Sequence, residues 1–143
     1  MTDRPFEKQN EIQGVSIIIP FLNEADGIEL CCRTMDERVA QLPFPVELIF
    51  VDDGSTDESV SLLKKYRFRH PSGVRLVRFS RNFGSHAAIR AGILNSTYDI
   101  CTWLGSDLQE PLRYASFAEG SSERARRRGH AAGLISGCRT HQV

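Results

Sequence analysis

Several features that mark common classes of protein are missing from this sequence. No apolar run approaches the roughly 18 residues that a membrane-spanning helix needs, and the polar start, residues 1–14, lacks the apolar segment of a signal peptide. Lysine plus arginine and aspartate plus glutamate both number 18, so no excess of charge indicates a nucleic-acid partner. We therefore expect a cytoplasmic chain without a transmembrane segment.

Two kinds of motif are also absent. The sequence has no G-x-G-x-x-G after its first strand pattern and no G-x-x-x-x-G-K-[ST], which argues against a dinucleotide oxidoreductase and a P-loop NTPase. The four cysteines, at 31, 32, 101 and 138, form no C-x-x-C pair, so a zinc site is not indicated. We interpret them as small buried side chains in a reducing compartment.

The chain is arranged around one stretch, residues 46–57. Its first part, VELIFV, is nearly all apolar and rich in β-branched and aromatic residues, which predicts a strand buried on both faces. Asp52 and Asp53 follow this strand directly. Ser55 precedes Glu58 by three residues, the spacing of a capping box, which predicts the start of a helix. Because ligands of open α/β sheets bind at the carboxyl ends of the strands, the two carboxylates are candidate ligand groups.

Strand and helix patterns alternate along the rest of the chain. Pro20 has no N–H to donate and is expected to end the first strand, and the small side chains of the third helix are expected to let it lie close to the sheet. The predicted elements are strand 15–19, helix 26–42, strand 46–51, helix 57–66, strand 74–79, helix 86–94 and strand 98–104. This order predicts an α/β fold with a Rossmann-like, mostly parallel sheet and helices on both faces.

The composition divides the chain into three parts: a polar leader at 1–14, the α/β half-domain at 15–111 and a tail at 112–143. The tail contains six arginines, two acidic residues and no lysine. Its apolar residues follow neither a helical nor a strand period. We therefore predict that the tail is basic and weakly ordered.

Polar side chains follow three of the predicted strands. The pairs are Asn23 with Glu24, Asp52 with Asp53, and Asp107 with Gln109. Carboxylate and amide oxygens accept hydrogen bonds from a ribose or a base, and they are the ligands that Mg²⁺ or Mn²⁺ takes. An aspartate in a turn is more often a helix cap than a ligand, but three such strand ends in series favour a binding site. Arg81 and Arg90 could meet phosphates or lie in solvent.

Four motifs carry a resemblance to a known family. They are IIIPFLNE at 17–24, VDDGSTD at 51–57, RNFGSHAAIRAGI at 81–93 and DLQEP at 107–111. In this order and at this spacing they resemble the N-terminal part of a family 2 glycosyltransferase of GT-A fold, in the subgroup of dolichol-phosphate mannose synthases and bactoprenol glucosyltransferases. The resemblance covers residues 15–111, about two-thirds of the chain.

The resemblance implies transfer of a sugar from a nucleoside diphosphate sugar to an acceptor, often a polyprenyl phosphate, with Mg²⁺ or Mn²⁺ as cofactor. It assigns Asp107 and Gln109 to the metal on the diphosphate, where the ion neutralises the charge of the leaving group. It assigns to the nucleotide pocket Pro20, Phe21, Asn23, Glu24, Asp52, Asp53, Arg81 and Gly84. With a lipid phosphate as acceptor, the expected location is the cytoplasm, at the inner face of the membrane.

The chain departs from the family pattern in two places. The family's metal motif is D-A-D-L-Q, and Gly105 stands where its first aspartate would be. Asp107 and Gln109 would then bind the metal with one carboxylate fewer. Beyond residue 111 neither an acceptor site nor a catalytic base is recognisable, so no catalytic residue is assigned. This leads to the hypothesis that the tail is a truncated or frame-shifted end.

Two other functions stay open at this point. A non-catalytic nucleotide-binding module, a pseudoenzyme or an inactive fragment, would use the same pocket and would account for Gly105. A phosphoacceptor receiver domain also has paired acids at a strand end. It requires a lysine after a late strand, however, and the lysines of this chain are at 8, 64 and 65.

Overall fold

The computed structural model describes residues 12–108 and the backbone of residues 134–136. Strands and helices alternate along the first of these ranges. In chain order the elements are β1 (Val15–Phe21), α1 (Ile28–Val39), β2 (Val46–Asp52), α2 (Ser59–Lys65), β3 (Gly73–Arg78), α3 (Ser85–Leu94), β4 (Ile100–Trp103) and β5 (Leu134–Ser136). The predicted order of four strands and three helices between residues 15 and 104 is confirmed.

The strands form one sheet in the order β3-β2-β1-β4-β5. The first four strands run parallel, with Val15 of β1 opposite both Val46 of β2 and Ile100 of β4. β5 pairs with β4 in the antiparallel direction. The sequence pattern predicts no strand in residues 112–143, so β5 is an addition to the predicted sheet. The rest of that segment, like residues 1–11, lies outside the described residues.

The core has two parts, one on each face of the sheet. β2 contributes to both, since all seven of its residues are buried. Its alternate side chains divide between the faces: Val46, Leu48 and Phe50 pack with α1 and α2, whereas Ile49 and Val51 pack with α3. The predicted α/β class, with helices on both faces of a mostly parallel sheet, is confirmed.

Pro20 lies inside β1 and does not end it. Ile18 O accepts a hydrogen bond from Leu104 N at 2.9 Å, and residues two apart in a strand bond toward the same neighbour, so Pro20 also faces the β4 side. β4 ends at Trp103, opposite Ile18. The missing N–H of Pro20 therefore leaves the pairing with β2 on the other side intact, and β1 continues beside β2 to Phe21.

The predicted capping box of Ser55 and Glu58 does not form. Glu58 is the N-cap residue of α2, and its own side chain makes no capping hydrogen bond. Ser55 Oγ instead accepts a hydrogen bond from Asn23 N at 2.9 Å, because the loop after β2 turns toward the end of β1. Just before α2, Asp57 Oδ1 accepts a hydrogen bond from Ser59 N at 3.0 Å.

The helices are short and pack closely on the sheet. An ideal Cβ on Gly92 of α3 would lie 2.4 Å from Cγ2 of Ile18, so α3 lies as close to β1 as its small residues predict. No helix within residues 12–108 is long and apolar enough to cross a membrane. This close packing fixes the strand ends from which the candidate site is built.

Candidate functional site

The loops that follow the four parallel strands meet at one edge of the sheet, which we call the carboxyl edge. They are residues 22–27 after β1, 53–58 after β2, 79–84 after β3 and 104–108 after β4. The predicted site residues lie in these loops or in the last residues of β1 and β2. Gln109 alone among them lies outside the described residues. The strand order thus brings described residues of all four motifs together at one edge.

Asp52, the last residue of β2, is a buried carboxylate with both oxygens engaged. It is 0% exposed. Its Oδ1 accepts a hydrogen bond from Ser55 N at 2.8 Å, and its Oδ2 accepts one from Arg78 Nε at 3.1 Å. A buried carboxylate requires such partners. Asp52 therefore closes the turn after β2 and links this turn to the last residue of β3.

Asp53 holds a different loop. Its Oδ1 accepts a hydrogen bond from Phe83 N at 2.8 Å, and its Oδ2 accepts one from Gly84 N at 3.0 Å. Asp53 is 6% exposed, so both of its oxygens are directed at the loop after β3. Successive side chains of a strand end point in opposite directions, which is why two adjacent acids serve two different loops.

Gly54 allows these two loops to touch. Its φ is +86°, a conformation that favours glycine. An ideal Cβ there would lie 2.5 Å from the carbonyl carbon of Arg81 and 2.7 Å from Asn82 N. A larger residue would have to displace the backbone of the loop after β3. Sterics as well as hydrogen bonds therefore fix the position of Arg81.

Asn23 links the loop after β1 to the loop after β2. It has a left-handed φ of 50°, which asparagine tolerates better than most residues. Its N donates to Ser55 Oγ at 2.9 Å, and its Oδ1 accepts from Thr56 N at 2.8 Å. Glu24 N donates to Ser59 Oγ at 2.7 Å. Asn23 is thus part of the architecture of the edge.

Asp57 and Ser59 complete this network and were not predicted as site residues. Asp57 Oδ2 accepts a hydrogen bond from Ala25 N at 3.1 Å. Hydrogen bonds from the hydroxyl and the N–H of Ser59 lower the pKa of the Asp57 carboxyl. The last acid of VDDGSTD therefore fastens the loop after β1 to the start of α2, and its place in that motif is the signal that could have identified it.

Phe21 and Pro20 differ in their access to the edge. Phe21 is 3% exposed, and its ring packs edge-on against Phe50 with the centroids 6.5 Å apart. Its side chain belongs to the core beneath α1 and α2. Pro20 is half-buried. Of these two predicted pocket residues, only Pro20 has a partly open side chain.

Glu24 and Asp107 approach a common neighbour from two loops. Burial raises the pKa of the Cys31 thiol in α1, and together with the smaller effects of the Glu24 and Asp107 carboxylates it brings that pKa to about 12. Both carboxylates therefore lie near enough to the start of α1 to interact with the same buried group. Glu24 is half-buried and Asp107 is exposed, so the edge presents two carboxylates from different strands.

Gly105 leaves room for the carboxylate of Asp107. An ideal Cβ on Gly105 would lie 2.9 Å from Asp107 Oδ1. The Asp107 carboxylate thus occupies the space in which a side chain at position 105 would begin. Asp107 itself is exposed to solvent.

A metal site made of protein ligands alone is not present in the described ranges. No group of three histidine, cysteine, aspartate or glutamate side chains there could hold an ion. Mg²⁺ is commonly bound by one or two carboxylates together with substrate phosphates. The exposed carboxylate of Asp107 fits that second mode, and its predicted partner Gln109 lies outside the described residues.

Arg81 lies on the ring of Phe83. Its guanidinium carbon is 4.7 Å from the ring centroid, a cation–π distance. The ring in turn packs edge-on against Phe79 with the centroids 5.5 Å apart. Phe83 is 52% exposed and was not among the predicted site residues. The contact depends on the shape of the loop, which the sequence pattern alone does not give.

Comparison with known proteins matches the chain to one family model, and it aligns the chain with only part of the length of each relative. A family model described as "Glycosyl transferase family 2" matches residues 16–112. The undecaprenyl-phosphate 4-deoxy-4-formamido-L-arabinose transferase of Pseudomonas fluorescens is 40% identical over 104 residues, which cover 73% of this chain and 31% of that protein. The protein of the same name from Klebsiella pneumoniae is 37% identical over 100 residues, with 70% and 31% covered. The chain therefore spans about a third of the length of these relatives.

Solved structures share the fold. The mannosyltransferase PcManGT from Pyrobaculum calidifontis, in complex with GDP-Man and Mn²⁺, has a TM-score of 0.59 and 24% identity, with 74% of this chain and 30% of that chain covered. Residues 1–349 of S. aureus TarS, in complex with UDP-GlcNAc, give a TM-score of 0.55 and 22% identity, with 66% and 26% covered. These matches confirm the predicted GT-A fold class.

Proposed function

The chain belongs to glycosyl transferase family 2, and we propose that its carboxyl edge binds a nucleoside diphosphate sugar together with a divalent metal. The sugar is transferred to an acceptor such as a polyprenyl phosphate. The observation that supports this proposal is the set of hydrogen bonds that joins the loops of the carboxyl edge. Asp52 and Asp53 hold the loops from within, and Glu24, Arg81 and Asp107 are left open to solvent in part or in full.

The open groups suit the parts of such a donor. Arg81 supplies a cation for the diphosphate, and Glu24 supplies a carboxylate that accepts hydrogen bonds from hydroxyls of the ribose or the sugar. Asp107, with Gln109 as the second proposed ligand, holds Mg²⁺ or Mn²⁺. The bound ion neutralises charge on the leaving diphosphate as a Lewis acid. Asn23 borders the same edge, beside the base and ribose.

The relatives support this class of substrate without distinguishing among its members. The curated relatives are named for undecaprenyl phosphate, and the solved structures hold GDP-Man with Mn²⁺ in one case and UDP-GlcNAc in the other. For this chain we infer a nucleotide sugar as donor and a lipid phosphate as acceptor. The corresponding location is the inner face of the membrane.

A non-catalytic nucleotide-binding module is the second candidate, and Gly105 favours it. One carboxylate in place of two weakens the hold on a divalent ion, so a nucleotide could bind without transfer of its sugar. The receiver-domain alternative is set aside, since the family match at 16–112 includes all four motifs.

Calorimetric titration of the chain with UDP and GDP, each with and without Mn²⁺, tests the proposal. We expect metal-dependent binding of one nucleotide that is lost in Asp107→Ala. The matched control is Asp99→Ala, because Asp99 is an exposed aspartate at the opposite end of β4. Failure of both nucleotides to bind a chain shown to be folded by circular dichroism would refute the proposal. Release of the sugar from the bound donor would indicate an enzyme, and binding without release would indicate a non-catalytic module.

A further inference from the structure

The loop at 81–84 is held at its backbone by one carboxylate. Two successive N–H groups, those of Phe83 and Gly84, donate to the two oxygens of Asp53 at 2.8 and 3.0 Å. Hydrogen bonds to an ionised acceptor are stronger than those between neutral groups. Asp53 is also nearly buried, so little water competes for it. These two bonds fix the position of the Phe83 backbone.

The side chains of the loop extend this arrangement to Arg81. The ring of Phe83 packs edge-on against Phe79, which itself packs against the core beneath α3. The Arg81 guanidinium lies over the Phe83 ring, 4.7 Å from its centroid. A chain of contacts therefore runs from the core through Phe79 and Phe83 to Arg81.

The charge of Arg81 has no carboxylate partner within residues 12–108. Two other arginines near the sheet, Arg75 and Arg78, are paired with the buried acids Glu47 and Asp52. Arg81 differs from both, because its guanidinium lies against an aromatic ring and not against a carboxylate of these residues. An exposed cation that lies on a ring at the carboxyl edge, with no ion pair among residues 12–108, is suited to an anionic ligand.

From this geometry we infer that Phe83 and Asp53 are positioning residues that hold Arg81 in place for the diphosphate of the donor. Phe83 acts through its ring and Asp53 through the loop backbone, and neither acts by touching the nucleotide. The inference rests on the proposed function and deepens it by naming the residues on which its diphosphate contact depends.

The ring contact is tested with nucleotides that differ by one phosphate. In Phe83→Leu we expect UDP or GDP, whichever the chain binds, to bind roughly two- to fivefold more weakly, the range of an exposed cation–π contact. Binding of the matching monophosphate should change less. Phe83→Tyr keeps an aromatic ring and should restore wild-type affinity. Adding Phe83→Leu to Arg81→Ala should weaken binding no further than Arg81→Ala alone.

The backbone contact is tested without any ligand. Asp53→Asn replaces one acceptor oxygen by an NH₂ group, so one of the two loop N–H groups loses its partner. Hydrogen exchange at the Phe83 and Gly84 amides should become faster in the nucleotide-free variant, and the preference for diphosphate over monophosphate should fall. If Asp53 were a direct ligand only, nucleotide affinity would fall while both amides stayed protected.

The outcomes separate this inference from the proposed function. A wild-type chain that binds neither nucleotide overturns both. A wild-type chain that binds, with Phe83→Leu binding equally well, overturns the role of Phe83 alone. Equal losses in Phe83→Leu and Phe83→Tyr do the same, because they would show that the ring's aromatic character has no part in the effect.

Discussion

Replacing three glycines by alanine, one at a time, should destabilise the chain in the order Gly54, Gly84, Gly73. Gly54 has a φ of +86° and would place a Cβ 2.5 Å from the backbone of Arg81. Gly84 has a φ of +96° with no atom within 4 Å of its ideal Cβ. Gly73 has an ordinary φ and equally open space. Alanine therefore meets both a backbone cost and a steric cost at Gly54, a backbone cost alone at Gly84, and neither cost at Gly73.

The magnitudes follow from these two costs. A positive φ costs an alanine about 1–2 kcal/mol in the left-handed helical region. It costs about 1–3 kcal/mol at the φ of 96° and ψ of 161° of Gly84, which is the whole effect expected for Gly84→Ala. Overpacking against a fixed backbone adds about 1–3 kcal/mol, so Gly54→Ala should cost about 2–5 kcal/mol. Gly73 is half-buried but has no atom within 4 Å of its ideal Cβ, so Gly73→Ala should stay within about 0.5 kcal/mol of the wild type.

Equilibrium unfolding in urea measures the series. The chain has one tryptophan, Trp103, which packs against the core beneath α3, so its fluorescence reports on the folded sheet. With an m-value of about 2 kcal/mol/M, Gly84→Ala should lower the midpoint by about 0.5–1.5 M and Gly54→Ala by about 1–2.5 M. Circular dichroism on the same samples checks that both signals report one transition.

The relation between two variants decides the argument. Equal midpoints for Gly54→Ala and Gly84→Ala would mean that the loop at 79–84 moves aside without cost. That result would refute the conclusion that Gly54 fixes the loop carrying Arg81. A midpoint for Gly84→Ala equal to that of Gly73→Ala would refute the cost assigned to the positive φ of Gly84.

Three further predictions concern groups outside the carboxyl edge. Glu47 is 4% exposed and accepts hydrogen bonds from two neighbouring segments. In urea unfolding, Glu47→Gln should therefore lower the free energy of unfolding by about 1.5–3 kcal/mol. The exposed control Glu37→Gln should not change it measurably. Burial would raise the pKa of Asp36, but hydrogen bonds from the loop before β3 outweigh it and lower that pKa below 3.8. The free energy of unfolding that the ionised Asp36 contributes is therefore complete above its pKa in the unfolded chain, and it is lost as pH falls through its pKa in the folded chain. When the pH is lowered below about 4, the urea midpoint should therefore fall less in Asp36→Asn than in the wild type. Burial raises the pKa of Cys31 and Cys32 to about 12. Iodoacetamide at about pH 8 should therefore alkylate both thiols in urea and spare them in the folded chain, as measured by mass spectrometry. Labelling of the folded chain at the rate seen in urea would contradict this prediction.

The elements could be predicted where the sequence period is local, and they were missed where the structure depends on a distant partner. The rule that proline ends a strand failed at Pro20, since the cost of a missing N–H depends on which neighbour the backbone faces. The capping box failed because Asn23, from another strand end, binds Ser55. The short strand β5 offers no period of its own, and its pairing with β4 is antiparallel and distant in sequence.

The location of the candidate site could be predicted, but the roles of its residues could not. Parallel strands place their carboxyl ends together, so the four motifs had to meet at one edge. Whether an acid there faces solvent or a neighbouring loop depends on the local direction of its side chain. Asp52 and Asp53 are adjacent in sequence, yet Asp52 binds the loop after β2 and Asp53 the loop after β3. Phe83 gained its contact with Arg81 only through the fold.

Substitutions in these motifs therefore measure two different things. Removal of the Asp52 carboxylate leaves Ser55 N and Arg78 Nε without their acceptor, at a cost of about 1–3 kcal/mol for a buried group left unsatisfied. Loss of nucleotide binding in such a variant would follow from a disordered edge even if Asp52 never met the ligand. Asp107 is exposed and lies in the last of the four loops. An affinity change in Asp107→Ala at unchanged urea midpoint is therefore evidence of a lost ligand contact, whereas the same change in a variant of Asp52 identifies no ligand.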